Sequence, residues 1–207
     1  GFASNYCIRR IRSGHAAYRG ELMDLYRRGI DIGIIYDKGE ISEYDYNNIV
    51  TLGSANKEFE WTERFIEENR ERLPAAQREN AYALHKANFL YALDRLDEAA
   101  RLLVRVTDSD IVYHLARVVL EIRIAYDQQD QEYALNLLET FRLYVRRSRK
   151  MSTKDKRSYI NYTRFTKQLV NLKHQEEYLG KATYVKRMEG LAASVQAADL
   201  VVERGWL

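Results

Sequence analysis

An all-α fold, built from antiparallel helix hairpins stacked into an α-solenoid, is predicted by three features of the sequence. Apolar residues recur at helical spacing along almost the whole chain. Its 207 residues include one proline, Pro74, and ten glycines, too few breakers for a fold rich in β-turns. A helix–turn–helix pattern also recurs at a nearly constant interval. The length suits one sizeable domain or an elongated array of small units sharing a core. With 46% hydrophobic and 30% charged residues, the composition is neither that of a disordered chain nor that of a membrane-embedded one.

Taken in order, the first residues, "GFASNYCIRRIRSG", lack the apolar core and small-residue cleavage site of a secretory signal. They read as the inside of a helix, which suggests the C-terminal part of a longer protein. Helices are predicted over 15–36, 42–55, 58–72, 75–93, 96–106, 109–127, 130–149, 153–173 and 183–203, from the phase of the apolar stripes. "DKGE" at 37–40 is a turn, and Pro74 suits a first helical turn, where its missing N–H costs nothing. Asp108 or Ser109 can cap the helix after it, and Ser152 the helix from 153. The most apolar short stretch, 30–36, is interrupted by Asp31 and Gly33, and no run approaches the length of a membrane span.

Repetition is visible where "NKEFEWTERFIEE", "LDRLDEAARLLVR" and "QQDQEYALNLLET" are aligned: a polar turn opens an amphipathic helix each time. Thr62, Ala99 and Ala134 then share one position, at intervals of 37 and 35 residues. Small residues suit a place where two antiparallel helices cross near a tight turn. Ala87 supplies the matching small residue for Ala99, whereas the equivalent places in the other pairs hold Val50 and Ile122. The stretch "RLDEAARLL", with the helix before it, resembles a tetratricopeptide repeat of about 34 residues. Three such pairs are expected over 42–149, with helices added over 1–41 and 150–207 in a single helical-repeat domain.

A further resemblance rests on "NYCIRRI", "NNIVTLG", "FEWTERFIEENRERLP", "ENAYAL", "FRLYVRR" and the terminal "WL". Together they are similar to a group of uncharacterised helical-repeat proteins from Bacteroidetes bacteria. That resemblance implies a right-handed, tetratricopeptide-like solenoid and implies no activity.

No phosphate loop, dinucleotide fingerprint, zinc-protease helix, nucleophile elbow or C-x-x-C pair occurs, so neither catalysis nor a cofactor is expected. Cys7, beside Ile8 and Ile11, reads as a buried structural thiol rather than as the nucleophile of His15. As the lone cysteine it points to a reducing compartment, the cytoplasm. His85 and His114 fall inside repeat helices, with a surface or partly packed role, and His15 and His174 near helix ends. "ISEYDYNN" lacks the twelve-residue calcium loop and reads as a solvated helix start. No metal site is expected.

Two surfaces remain. In tetratricopeptide arrays the first helix of each pair lines the concave side, which places Asn47, Thr51, Asn88, Tyr91, Arg123 and Tyr126 in the groove. Such a wall suits an unidentified protein or peptide segment, unless the C-terminal helix fills it. The window 141–160 is the other: Arg142, Arg146, Arg147, Arg149, Lys150, Lys154, Lys156 and Arg157 face a single acid, Asp155, in a chain of net charge +3. A solvated hairpin end, contact with an acidic protein and nucleic-acid binding all fit that window, with Tyr159 the one aromatic expected near it. The expected function is a non-catalytic protein-interaction scaffold; the alternative is polyanion binding through 142–157.

Overall fold

The computed structural model describes residues 2–108 and 110–207; Ser109, one of the two expected caps, lies outside them. Ten α-helices are present among the described residues: α1 Phe2–Arg12, α2 Tyr18–Asp31, α3 Glu43–Ala55, α4 Phe59–Glu68, α5 Arg78–Ala92, α6 Leu96–Leu103, α7 Ile111–Asp127, α8 Gln131–Arg147, α9 Thr153–His174 and α10 Lys181–Ala197. The only strands among those residues are β1 Tyr36–Asp37 and β2 Glu40–Ile41, paired antiparallel. The all-α expectation therefore holds. The chain divides into two compact units, Gly1–Arg117 and Val118–Leu207.

Several ends differ from the apolar pattern. The helix predicted over 15–36 stops at Asp31, because Gly33 turns left-handed (φ 75°). "DKGE" is a turn as expected, but it joins two strands. Lys38 and Gly39 both have positive φ (51° and 87°), as a two-residue hairpin following the right-handed strand twist requires. The helix predicted over 58–72 ends at Glu68, and a 3-10 turn over Arg70–Arg72 follows. Pro74 lies before α5 rather than in its first turn, and its carbonyl accepts from the Gln77 N–H at 3.0 Å. Asp110, not Asp108, caps α7, accepting from the N–H groups of Val112 (2.7 Å) and Tyr113 (3.0 Å). Ser152 caps α9 as expected, accepting from the Asp155 N–H at 3.1 Å. The last helix lies over Lys181–Ala197 rather than 183–203.

One turn recurs three times with the same hydrogen bonds. After α3, the N–H groups of Asn56, Lys57 and Glu58 reach the carbonyls of Leu52, Ser54 and Gly53. After α5, those of Leu93, Asp94 and Arg95 reach Phe89, Tyr91 and Leu90; after α7, those of Gln128, Gln129 and Asp130 reach Ile124, Tyr126 and Ala125. This pattern satisfies the last carbonyls of a helix and needs one left-handed residue. That residue is Lys57, Asp94 or Gln129, with φ of 59°, 60° and 61°. Five residues on, the N–H groups of Thr62, Ala99 and Ala134 donate to Glu58, Arg95 and Asp130, and all three side chains are fully buried. The repeat register of the sequence is thus a backbone fact.

In the first pair the small partner is not Val50 but Gly53, three residues on. A Cβ there would sit 2.1 Å from Thr62 Oγ1 and 3.3 Å from its Cβ. Within the first unit α3 packs on α4 and α5, and α5 on α4 and α6. Tyr46, Ile49, Ile66, Leu73 and Phe89 form its centre, almost wholly buried. In the second unit Leu138, Phe141 and Val145 of α8 are buried, as are Tyr162, Phe165 and Leu169 of α9, the helix it packs on. Each such side chain contributes about 1.5–3 kcal/mol relative to exposure.

Candidate functional site

Four of the six groove residues lie in the first unit, on helices that pack directly. Asn47 and Thr51 are exposed on α3, one turn apart, and the Thr51 hydroxyl donates to Asn47 Oδ1 at 3.4 Å. On α5, Asn88 is half-exposed and its amide donates to the Leu84 carbonyl at 3.0 Å, while Tyr91 is half-buried. The amides and the threonine hydroxyl therefore bond within their own helices.

The other two, Arg123 and Tyr126, lie in the second unit and hold the chain's own tail. Arg123 Nη1 pairs with Glu203 at 3.1 Å, and its guanidinium lies 5.7 Å from the Trp206 ring centroid. Tyr126 meets Trp206 edge-on at 5.4 Å, and Trp206 also touches Tyr162 at 6.3 Å. Asn161 fixes the approach by donating to the Leu200 carbonyl at 2.8 Å. The sequence offers the C-terminal helix as the alternative to a partner segment in the groove. What meets Arg123 and Tyr126 is not that helix but the segment after it, because α10 ends at Ala197 and its C-cap Ala198 is extended.

A polar cluster in the first unit was not foreseen from the sequence. His85 is 6% exposed, more buried than a surface or partly packed histidine. Its Nε2 lies 3.7 Å from Glu43 Oε1, too far for a direct hydrogen bond, so the contact is electrostatic. His85 holds Glu43 below the usual carboxylate range, with burial opposing and Tyr113 assisting. Burial and then Glu43 push the Tyr113 phenol up. Tyr46 also meets His85, with ring centroids 5.8 Å apart. His114 has its own partner, with Nδ1 3.0 Å from Asp108 Oδ2. Cys7 is buried, and that burial pushes its thiol up. Three helices bring Glu43, His85 and Tyr113 together from distant places in the chain, so no local motif announces them.

The basic window is the end of the α8–α9 hairpin. Two of its eight cations are used internally: Arg142 grips Glu139 with two bonds, at 2.5 and 3.2 Å, and Lys156 Nζ donates to the Arg146 carbonyl at 3.3 Å. Lys156 thus helps to close α8 rather than opposing the dipole of α9. Arg146, Arg147, Arg149, Lys150, Lys154 and Arg157 are exposed and form no ion pair among the described residues. Tyr159 does not face this surface. Its ring is half-buried and meets Phe141 edge-on at 5.8 Å.

Comparisons with protein-family models, curated proteins and solved structures find no match. Among the described residues no three His, Cys, Asp or Glu side chains are grouped to hold a metal ion. No helix among them is long and apolar enough to cross a membrane. A cleft of about 460 Å³ in the second unit, between Gln131 and Ala134 on one side and Val170, Lys173 and Glu176 on the other, carries both signs of charge. Its Lys173 and Glu176 already pair at 2.8 Å.

Proposed function

We propose that this protein is a non-catalytic interaction scaffold: a right-handed, tetratricopeptide-like solenoid that holds a peptide or protein segment against the first helices of its pairs. The thrice-repeated turn carries this reading, because identical hairpins at near-constant intervals are what a stacked helical array is made from. The packing of α3 on α4 and α5, and of α5 on α6, is in keeping with such stacking. The likeness of particular strings to bacterial helical repeats points the same way, and the buried lone thiol suits the cytoplasm.

In this reading Asn47, Thr51, Asn88 and Tyr91 are the recognition wall. The amides and hydroxyl exchange their local bonds for bonds to an extended peptide backbone, and the tyrosine ring adds contact area at low entropy cost. Arg123 and Tyr126 drop out of the wall, since the tail engages them. The test is a library of extended peptides selected on the wild-type protein and then measured against Asn47→Ala with Asn88→Ala, and against Tyr91→Ala. Each variant should bind about tenfold more weakly at unchanged helicity, a loss of about 1.4 kcal/mol. Peptides held equally well by all three proteins would place recognition elsewhere.

A further inference from the structure

We propose that the end of the α8–α9 hairpin docks a short acidic segment of a partner protein, one that carries an apolar residue among its carboxylates. This surface is separate from the α3–α5 wall, so the inference stands or falls without it.

The hairpin end holds unspent charge. Elsewhere in the chain several guanidiniums are matched by a carboxylate: Arg70 by Glu79 at 2.7 Å, Arg78 by Glu71 at 2.9 Å, Arg95 by Glu98 at 2.7 Å. At the hairpin end the supply fails. Residues 142–157 hold one acid, Asp155, and its carboxylate accepts the Ser152 hydroxyl at 2.6 Å in capping α9. Cations at Arg146 and Arg147 complement the C-terminal end of α8. Lys154, in the first turn of α9, is opposed by that helix's dipole, so dipole compensation does not account for the whole cluster. An anion seated there relieves both the mutual repulsion and the mismatch at Lys154.

The kind of anion follows from what lies between the charges. Single-stranded nucleic acid is held by rings on which bases stack, and the rings beside the hairpin end are engaged: Phe141 is buried, Tyr159 packs against it, and Tyr144 is half-buried with a contact of its own. What the surface does expose is Leu143, 37% accessible. It lies three and four residues before Arg146 and Arg147, and so on the same face of α8. An apolar seat flanked by guanidiniums matches an apolar side chain flanked by carboxylates. Four of the six unpaired cations are arginines, whose planar forks bind carboxylates through two parallel hydrogen bonds. Two adjacent helices also present a strip only about 10 Å across, room for a few residues of peptide rather than a long stretch of duplex.

Fluorescence anisotropy tests this with a labelled peptide of repeating Asp, Leu and Glu, beside labelled duplex DNA and oligo-dT, at about 50 and 200 mM salt. The peptide should bind more tightly than either nucleic acid at the lower salt. Arg146→Glu with Arg157→Glu should weaken it by about tenfold, and Leu143→Ser several-fold. These side chains are exposed or nearly so, and circular dichroism checks that the variants remain folded. Tighter binding of DNA than of peptide would replace the inference with a nucleic-acid surface. No peptide binding at the lower salt, or binding indifferent to the charge reversals, would leave the hairpin end a solvated one.

Discussion

The α3–α4 hairpin and the α7–α8 hairpin, whose turn lies in the second unit, close on the same set of backbone hydrogen bonds. They use their first helices in opposite ways. Asn47 and Thr51 on α3 are exposed and bonded to each other, whereas Arg123 and Tyr126 on α7 grip Glu203 and Trp206. The turn sets the repetition and the side chains decide what each face is for. A pair can keep its geometry while exchanging an open surface for an internal contact.

The α3–α4 hairpin is most sensitive at Gly53, where there is no space for a Cβ. Gly53→Ala should lower stability by about 1–3 kcal/mol in urea unfolding, the usual cost of overpacking. Adding Thr62→Ala, which removes the hydroxyl 2.1 Å from that position, should return part of the loss. A neutral Gly53→Ala would mean that the helices do not cross so closely.

At the tail that meets α7, Trp206→Ala should cost about 1–2 kcal/mol, less than a fully buried tryptophan, because Trp206 is half-buried. The same change should make the segment after α10 more sensitive to protease. If stability and cleavage were both unchanged, the tail would not be holding Arg123 and Tyr126.

Glu43 tests the first unit through pH. Its folded-state pKa is depressed by His85, so its contribution is present above the unfolded value, about 4.3, and is lost as pH falls through the folded value. The stability gap between wild type and Glu43→Gln should be widest near neutrality and should shrink through that acid range. A gap that stays constant below pH of about 4 would show that Glu43 carries no linked charge.

The smallest effect is also the sharpest test of equivalence. Lys57 and Gln129 both hold left-handed backbone that glycine adopts without strain. Lys57→Gly and Gln129→Gly should each raise stability by about 1 kcal/mol. Increments of clearly different size would show that the two turns, alike in hydrogen bonds, differ in strain.

Much of this architecture is local, and the local part is legible. Thr62, Ala99 and Ala134 mark the same place in three hairpins because turn chemistry is written within a dozen residues of each. Helix ends were harder to read. The apolar pattern runs on through Ile34 and Ile35 although Gly33 has already turned the chain, and α7 takes Asp110 rather than Asp108 as its cap. Val50 drew attention as the position equivalent to Ala87, while the close approach falls at Gly53; where two helices touch depends on their crossing, which spacing alone does not set. The candidate site was legible only as far as it lies on one helix face. Asn47 and Thr51 are such a face, but the pairing of Arg123 with Glu203 bridges 80 residues, and Glu43, His85 and Tyr113 meet only once three helices have packed.

That difference in reach carries over to the order of folding. Each of the three turns seals itself through carbonyls at most five residues back, so the early hairpins require little loop-closure entropy and can nucleate independently along the chain. The clasp of Trp206 on Tyr126 must wait for α8, α9 and α10 to form. It is the natural late event, and the part of the molecule most readily undone without disturbing the rest.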